Sequence, residues 1–107
     1  MVVASPITKL SYNMSGGYFD YDQYRMRTIA DSIQSIIDNN KKKNEYGYAT
    51  NYSNKTLKHF KKAIRILRLA EIYAQRIDWL ASGDDGEETF VKRLTEELQN
   101  VRKTYEN

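Results

Sequence analysis

Along residues 26–37 the apolar positions are Met26, Ile29, Ala30, Ile33, Ile36 and Ile37. Their spacing places them on one face of a helix, with Arg27, Asp31, Gln34 and Asp38 opposite. Asp20 stands three residues before Gln23, the spacing of an N-cap carboxylate and its reciprocal partner, and Asn39-Asn40 tolerates the backbone that ends helices. The pattern predicts a helix over 20–39. A second helix is predicted over 54–81, opened by Ser53 as N-cap and uninterrupted by Gly or Pro. At ~1.5 Å per residue it spans roughly 42 Å. It carries two apolar stripes: Leu57, Phe60, Ile64 and Leu67 form one, and Ala63, Ile66, Ala70, Tyr73, Ile77 and Leu80 form the other. So wide an apolar arc predicts a central helix covered by neighbours on two sides.

Ser82-Gly83 stops that helix and Asp84-Asp85-Gly86 turns the chain. A third helix follows over 87–105, with Phe90, Val91, Leu94, Leu98, Val101 and Tyr105 on its buried face. Glu87 and Glu88 at its start and Arg102 and Lys103 at its end match the helix dipole. The short connection makes the second and third helices antiparallel. Residues 1–19 alternate loosely and run into Ser15-Gly16-Gly17, which reads as an extended arm or short hairpin. Residues 40–52 show neither helical nor strand period and read as a solvated loop. The expected fold is all-α: one domain over 1–107, three helices with a long central one, and an irregular N-terminal arm.

Composition changes this picture mainly by exclusion. With 107 residues, 40% hydrophobic and 29% charged, the chain holds enough apolar side chain for one core. It has no cysteine, which removes disulfides, thiolate metal sites and cysteine nucleophiles and fits a reducing compartment. The opening MVVASPITKL lacks a basic n-region and its apolar run is broken by Ser5, Pro6 and Thr8, so it reads as neither signal peptide nor membrane span; a cytoplasmic location is expected. The net charge of +3 is segregated: +1 over residues 1–50, +5 over 51–81 and −3 over 82–107. A basic middle beside an acidic tail fits an anionic partner, or two segments that neutralise each other.

Few residues offer chemistry. His59 is the sole histidine and gives no metal or triad spacing to test; it reads as a surface or boundary residue. The run Ser82 to Glu88 concentrates oxygen ligands but lacks the alternating acids and closing glutamate of a calcium loop, and reads as a helix stop, turn and helix start. Lys58, Lys61, Lys62, Arg65 and Arg68 follow helical spacing and line one face for about three turns. Lysines in the first turns of a helix oppose its dipole, which suggests use; the plainer reading is a solvated face, or one answering the acidic third helix. Of nine tyrosines, seven cluster, at Tyr12, Tyr18, Tyr21 and Tyr24 and at Tyr46, Tyr48 and Tyr52. Their rings beside Arg25 and Arg27 offer stacking and amphipathic contact for a base, a nucleotide or a protein groove. Gly16-Gly17 matches neither glycine fingerprint of a phosphate loop.

Two segments, GGYFDYDQYR (Gly16 to Arg25) and YAQRIDWLASGDDGE (Tyr73 to Glu87), carry a resemblance. In them the chain resembles a family of short, uncharacterised proteins of bacteria, phages and prophages, over most of residues 16–98. The resemblance assigns no catalytic or ligand residue. It implies the setting of a phage- or prophage-type accessory protein, some of which antagonise host defence by occluding a host protein or sequestering nucleotide messengers. The expected function is therefore non-enzymatic: binding and occlusion of a host protein, or sequestration of a small anionic, nucleotide-like ligand. The alternative is nucleic-acid binding through the basic stripe. Expected binding residues are Tyr18, Tyr21, Tyr24, Arg25, Lys58, Lys61, Lys62, Arg65 and Arg68. No cofactor, metal or membrane is expected, and self-association is.

Overall fold

A computed structural model describes residues 17–105 of the chain. Three helices follow one another: α1 over Tyr24–Asp38, α2 over Asn54–Ala81 and α3 over Glu87–Thr104. The fold is all-α with a long central helix. The expected N-terminal arm lies outside the described residues, except for its end, where residues 18–23 form turns.

Ser53 caps α2, its hydroxyl accepting from the Thr56 N–H. At the other end the Gly83 N–H reaches the Leu80 carbonyl and the Asp84 N–H reaches that of Trp79. This crossed pair of bonds closes a helix when the residue after the C-cap is left-handed. Gly83 supplies that conformation at φ 84°. A Cβ added there meets nothing within 4 Å, so Gly83→Ala tests backbone conformation alone. It should cost about 1 kcal/mol in urea unfolding with an unchanged m-value.

α1 begins four residues later than its sequence pattern suggests. Asp20 and Tyr21 both have positive φ, 55° and 63°, and lie in a run of turns, so Asp20 caps nothing. Gln23 takes the N-cap position without a side-chain cap bond, because its amide is turned inward to Gln75 and Asp78 on α2. At the far end α1 stops at Asp38 with Asn39 as C-cap, and the left-handed residue is Lys41, at φ 69°, rather than either asparagine. Residues 42–53 carry no helix or strand; the Asn40 side chain ties this loop together through Thr50 and Tyr52.

Both outer helices lie against α2, and they do not come within contact distance of each other. Ion pairs set the register. Arg27 and Asp31 on α1 meet Glu71 and Arg68 on α2, and Arg76 on α2 meets Glu97 on α3, so each outer helix runs antiparallel to the centre. Among the described residues the buried hydrophobics are Ala30, Ile64 and Leu98. The radius of gyration is 17.8 Å, against ~13 Å for a closed domain of about 100 residues. The helices form an open trough with α2 as its floor.

Two expectations about apolar faces are corrected by this arrangement. The packed side of α1 runs through Gln23, Met26, Ala30, Ile33 and Ile37, while Ile29 and Ile36 stay exposed on its outer flank. On α2, α1 lies over the face bearing Arg68, Glu71, Gln75 and Asp78, and α3 over the face bearing Ile72 and Arg76. The second stripe is left open: Ile66 is 53%, Tyr73 45% and Ile77 40% exposed.

Candidate functional site

The trough between α1 and α3 is where side chains from all three helices converge. Its middle, a cleft of about 450 Å³, is bounded by Tyr24 and Arg27 from α1, Arg68, Glu71 and Trp79 from α2, and Asn100 from α3. The charges here are spent on one another. Glu71, 5% exposed, holds Arg27 at 2.6 Å. Arg68 holds Asp31 at 3.0 Å. Arg76 grips Glu97 through two bonds, 3.0 Å from Nε and 2.8 Å from Nη2. Its guanidinium also stacks on Trp79, 4.5 Å from the ring centroid. The two-pronged bond to Glu97 raises the Arg76 pKa despite the opposing effect of burial, and the nearby carboxylates of Glu97 and Asp85 add to the rise. Tyr24 is stacked on Tyr21 and carries Arg27 over its ring. This part of the trough is a set of clamps fixing the outer helices to the floor.

Farther along, the trough opens into a cleft of about 610 Å³ of different character. Lys58, Lys61, Lys62 and Arg65 reach it from α2, with Gln34 from α1 and Thr104 and Tyr105 from the end of α3. No aspartate or glutamate lines it, and no ion pair joins the four cations to another described residue. α1 and α3 end nearby and bring about half a negative charge each, while the start of α2 returns about half a positive one. Four full charges outweigh that sum. The acidic start of α3 does not answer the stripe, because the antiparallel course puts Glu87 and Glu88 beside the far end of α2.

Of the residues expected to bind, four are thus gathered at one basic end. Arg68 and Tyr24 sit apart in the clamped middle. Tyr18 packs edge-on against Phe19, Tyr21 stacks on Tyr24, and Arg25 is exposed beside Asp22 at 3.4 Å. Tyr46 and Tyr48 are exposed in the loop. His59 is exposed on α2. Gln34, Thr104 and Tyr105 did not stand out in the sequence as site residues, because only the pairing of three helix ends brings them together.

A second polar cluster lies at the other end of α2. Asp78 is 0% exposed and accepts from the backbone N–H groups of Gly17 and Tyr18, from the Gln23 amide at 2.8 Å and from Ser82 at 3.4 Å. All four donors are backbone N–H groups or neutral side chains, so this carboxylate anchors the turn before α1 to the floor of the trough.

Among the described residues no group of three His, Asp or Glu side chains is placed to hold a metal ion, and no helix is long and apolar enough to cross a membrane. No protein-family model, curated protein or solved structure matches the chain.

Proposed function

We propose that this chain is a non-enzymatic binding protein that takes a small anionic, nucleotide-like ligand at the basic end of the trough. The observation carrying this reading is the gathering of Lys58, Lys61, Lys62 and Arg65 around one cleft with no acidic residue in its lining. A volume of about 610 Å³ lies within the ~300–1,000 Å³ of small-molecule sites. Ile64 and the Tyr105 ring give it an apolar wall, and the Gln34 amide and Thr104 hydroxyl give it hydrogen-bonding groups that are not charged. That mixture suits a phosphate joined to a flat polar ring better than a bare phosphate. In the phage or prophage setting suggested by the GGYFDYDQYR and YAQRIDWLASGDDGE segments, sequestering such a ligand in the cytoplasm would keep it from a host receptor.

The exposed helical line of the same four cations favours a second reading, contact with nucleic-acid phosphates. Calorimetric titration with ATP, with inorganic pyrophosphate and with a mixed-sequence single-stranded oligonucleotide separates the two. On the first reading ATP binds more tightly than pyrophosphate. The double variant Lys61→Ala/Arg65→Ala then weakens ATP binding at least tenfold, since each charge-assisted contact is worth ~1.5–3 kcal/mol. Oligonucleotide binding that is tighter than ATP binding and falls steeply with salt would establish the second reading instead. Absence of heat with all three probes at low ionic strength would sink both.

A further inference from the structure

We propose that the open face of α2 is the seat of a second copy of this chain, α2 packing antiparallel on α2 about a twofold axis. The second-stripe positions Ala63, Ile66, Ala70, Tyr73, Ile77 and Leu80, of which Ala63, Ala70 and Leu80 are half-buried, are separated by three, four, three, four and three residues. That alternation is the 3.5-residue seam by which one helix packs along another, and it is not the broader stripe that faces an ordinary core. It runs for roughly 26 Å at ~1.5 Å per residue. α1 and α3 occupy the other sides of α2, and Ile66, Tyr73 and Ile77 remain about half exposed. Alanines at 63 and 70 allow close approach of the partner helix.

Three features choose a copy of the same chain as the occupant. A seam of Ala, Ile and Tyr at heptad spacing matches its own image, as a twofold interface requires. The charges at its ends match in one direction only. Lys55 and Lys62 precede the seam, while Glu87 and Glu88 follow it. Antiparallel pairing sets the basic end of each helix against the acidic end of the other and opposes the two dipoles; parallel pairing would stack like charges. Finally, the core within one chain is thin, with Ala30, Ile64 and Leu98 as its buried hydrophobics among the described residues.

The flank of α1 widens the interface. Arg27 and Asp31 point to the trough, so Ile29 and Ile36, on the other flank of that helix, share the side of the molecule on which the seam lies. One helix-wide strip of this length covers a footprint of roughly 300 Å², below the ~800 Å² per partner of a stable complex. With the two isoleucines the footprint is still that of a weak, transient dimer. The axis falls between Ala70 and Tyr73, which sets Ile66 opposite Ile77 of the second copy.

Sedimentation velocity on the full chain should show a dimer dissociating in the micromolar range. Ile66→Glu/Ile77→Glu should sediment as a monomer with unchanged helical circular dichroism and unchanged ATP titration, since neither residue lines the trough. A wild-type monomer at about 100 µM, or a double variant that still dimerises, would overturn the proposal. The absence of native cysteine allows a direct test of direction. Under oxidation Ile66→Cys and Ile77→Cys should each stay uncrosslinked alone and crosslink when mixed. Efficient crosslinking of either variant to itself, with none in the mixture, would mean a parallel pair or another face, and would also overturn it.

Discussion

Asp78→Ala is expected to release the turn that precedes α1 and to destabilise the fold by about 3 kcal/mol. Asp78 is wholly buried, and its two oxygens receive two backbone N–H groups, the Gln23 amide and the Ser82 hydroxyl. A hydrogen bond to a charged group contributes ~1.5–3 kcal/mol, and a buried donor left without a partner costs ~1–3 kcal/mol more. Part of that cost is avoided if residues 17–23 peel away and water reaches their N–H groups, which caps the loss at the lower end of the sum. Asp78→Asn keeps the shape but offers an NH₂ group where only acceptors are wanted, so it should cost nearly as much. The check is amide hydrogen exchange together with urea unfolding. The Gly17 and Tyr18 amides should lose protection in both variants, and the thermal midpoint should fall by roughly 10–20 °C. Retained protection at those two amides in Asp78→Ala would refute the anchoring role.

The second large effect is expected at Arg76. Its side chain is 8% exposed and stands between Glu97 and Asp85, whose own side chain is 10% exposed. Removing one member of a buried ionic cluster leaves uncompensated charge and typically costs ~3–5 kcal/mol. Asp85 is the more vulnerable partner: its Oδ2 has no hydrogen bond and lies 3.6 Å from the Arg76 guanidinium. Arg76→Met, close in length and apolar, should therefore cost about 3 kcal/mol, while the triple variant Arg76→Met/Asp85→Asn/Glu97→Gln should recover most of it. The chain has one tryptophan, Trp79, stacked under Arg76, so its fluorescence reports the same event. Equal losses in the single and triple variants would show that packing, not charge, is at stake. The bond from Glu97 raises the pKa of Arg76 above its ordinary value. A group raised on folding stabilises at all pH below its unfolded pKa and loses that contribution only as pH climbs through the folded one. The clamp should thus hold unchanged through neutral and mildly alkaline pH.

The helices were largely legible in the chain because their ends are coded locally. Ser53 with Thr56, and Gly83 after Ala81, mark α2 by hydrogen bonds that reach three to five residues. The start of α1 was not legible for the opposite reason. Asp20 and Gln23 have capping spacing, but Gln23 is held by Asp78, 55 residues away, and a tertiary bond of that kind leaves no periodic trace. The second stripe of α2 shows the same limit. Spacing marks Ile66, Tyr73 and Ile77 as an apolar face, yet α3 lies on another face, where Arg76 pairs with Glu97. At the candidate site, four of the five cations in the basic stripe stay together. The fifth, Arg68, is drawn off by Asp31, a residue whose position across the trough depends on the packing of α1. A stripe of like charge in sequence thus divides in space into a clamp and an open cluster.

Because α1 and α3 each lean on α2 and not on each other, the protein is assembled from two helical hairpins that share one arm. Every helix–helix interface then joins neighbours in sequence, one hairpin closing through the short turn 82–86 and the other through the longer loop 39–53. Such a chain has low contact order, the condition for rapid folding, and α2 can serve as template whichever hairpin closes first. It also means that a sequence change confined to one outer helix reaches the other only through the shared arm.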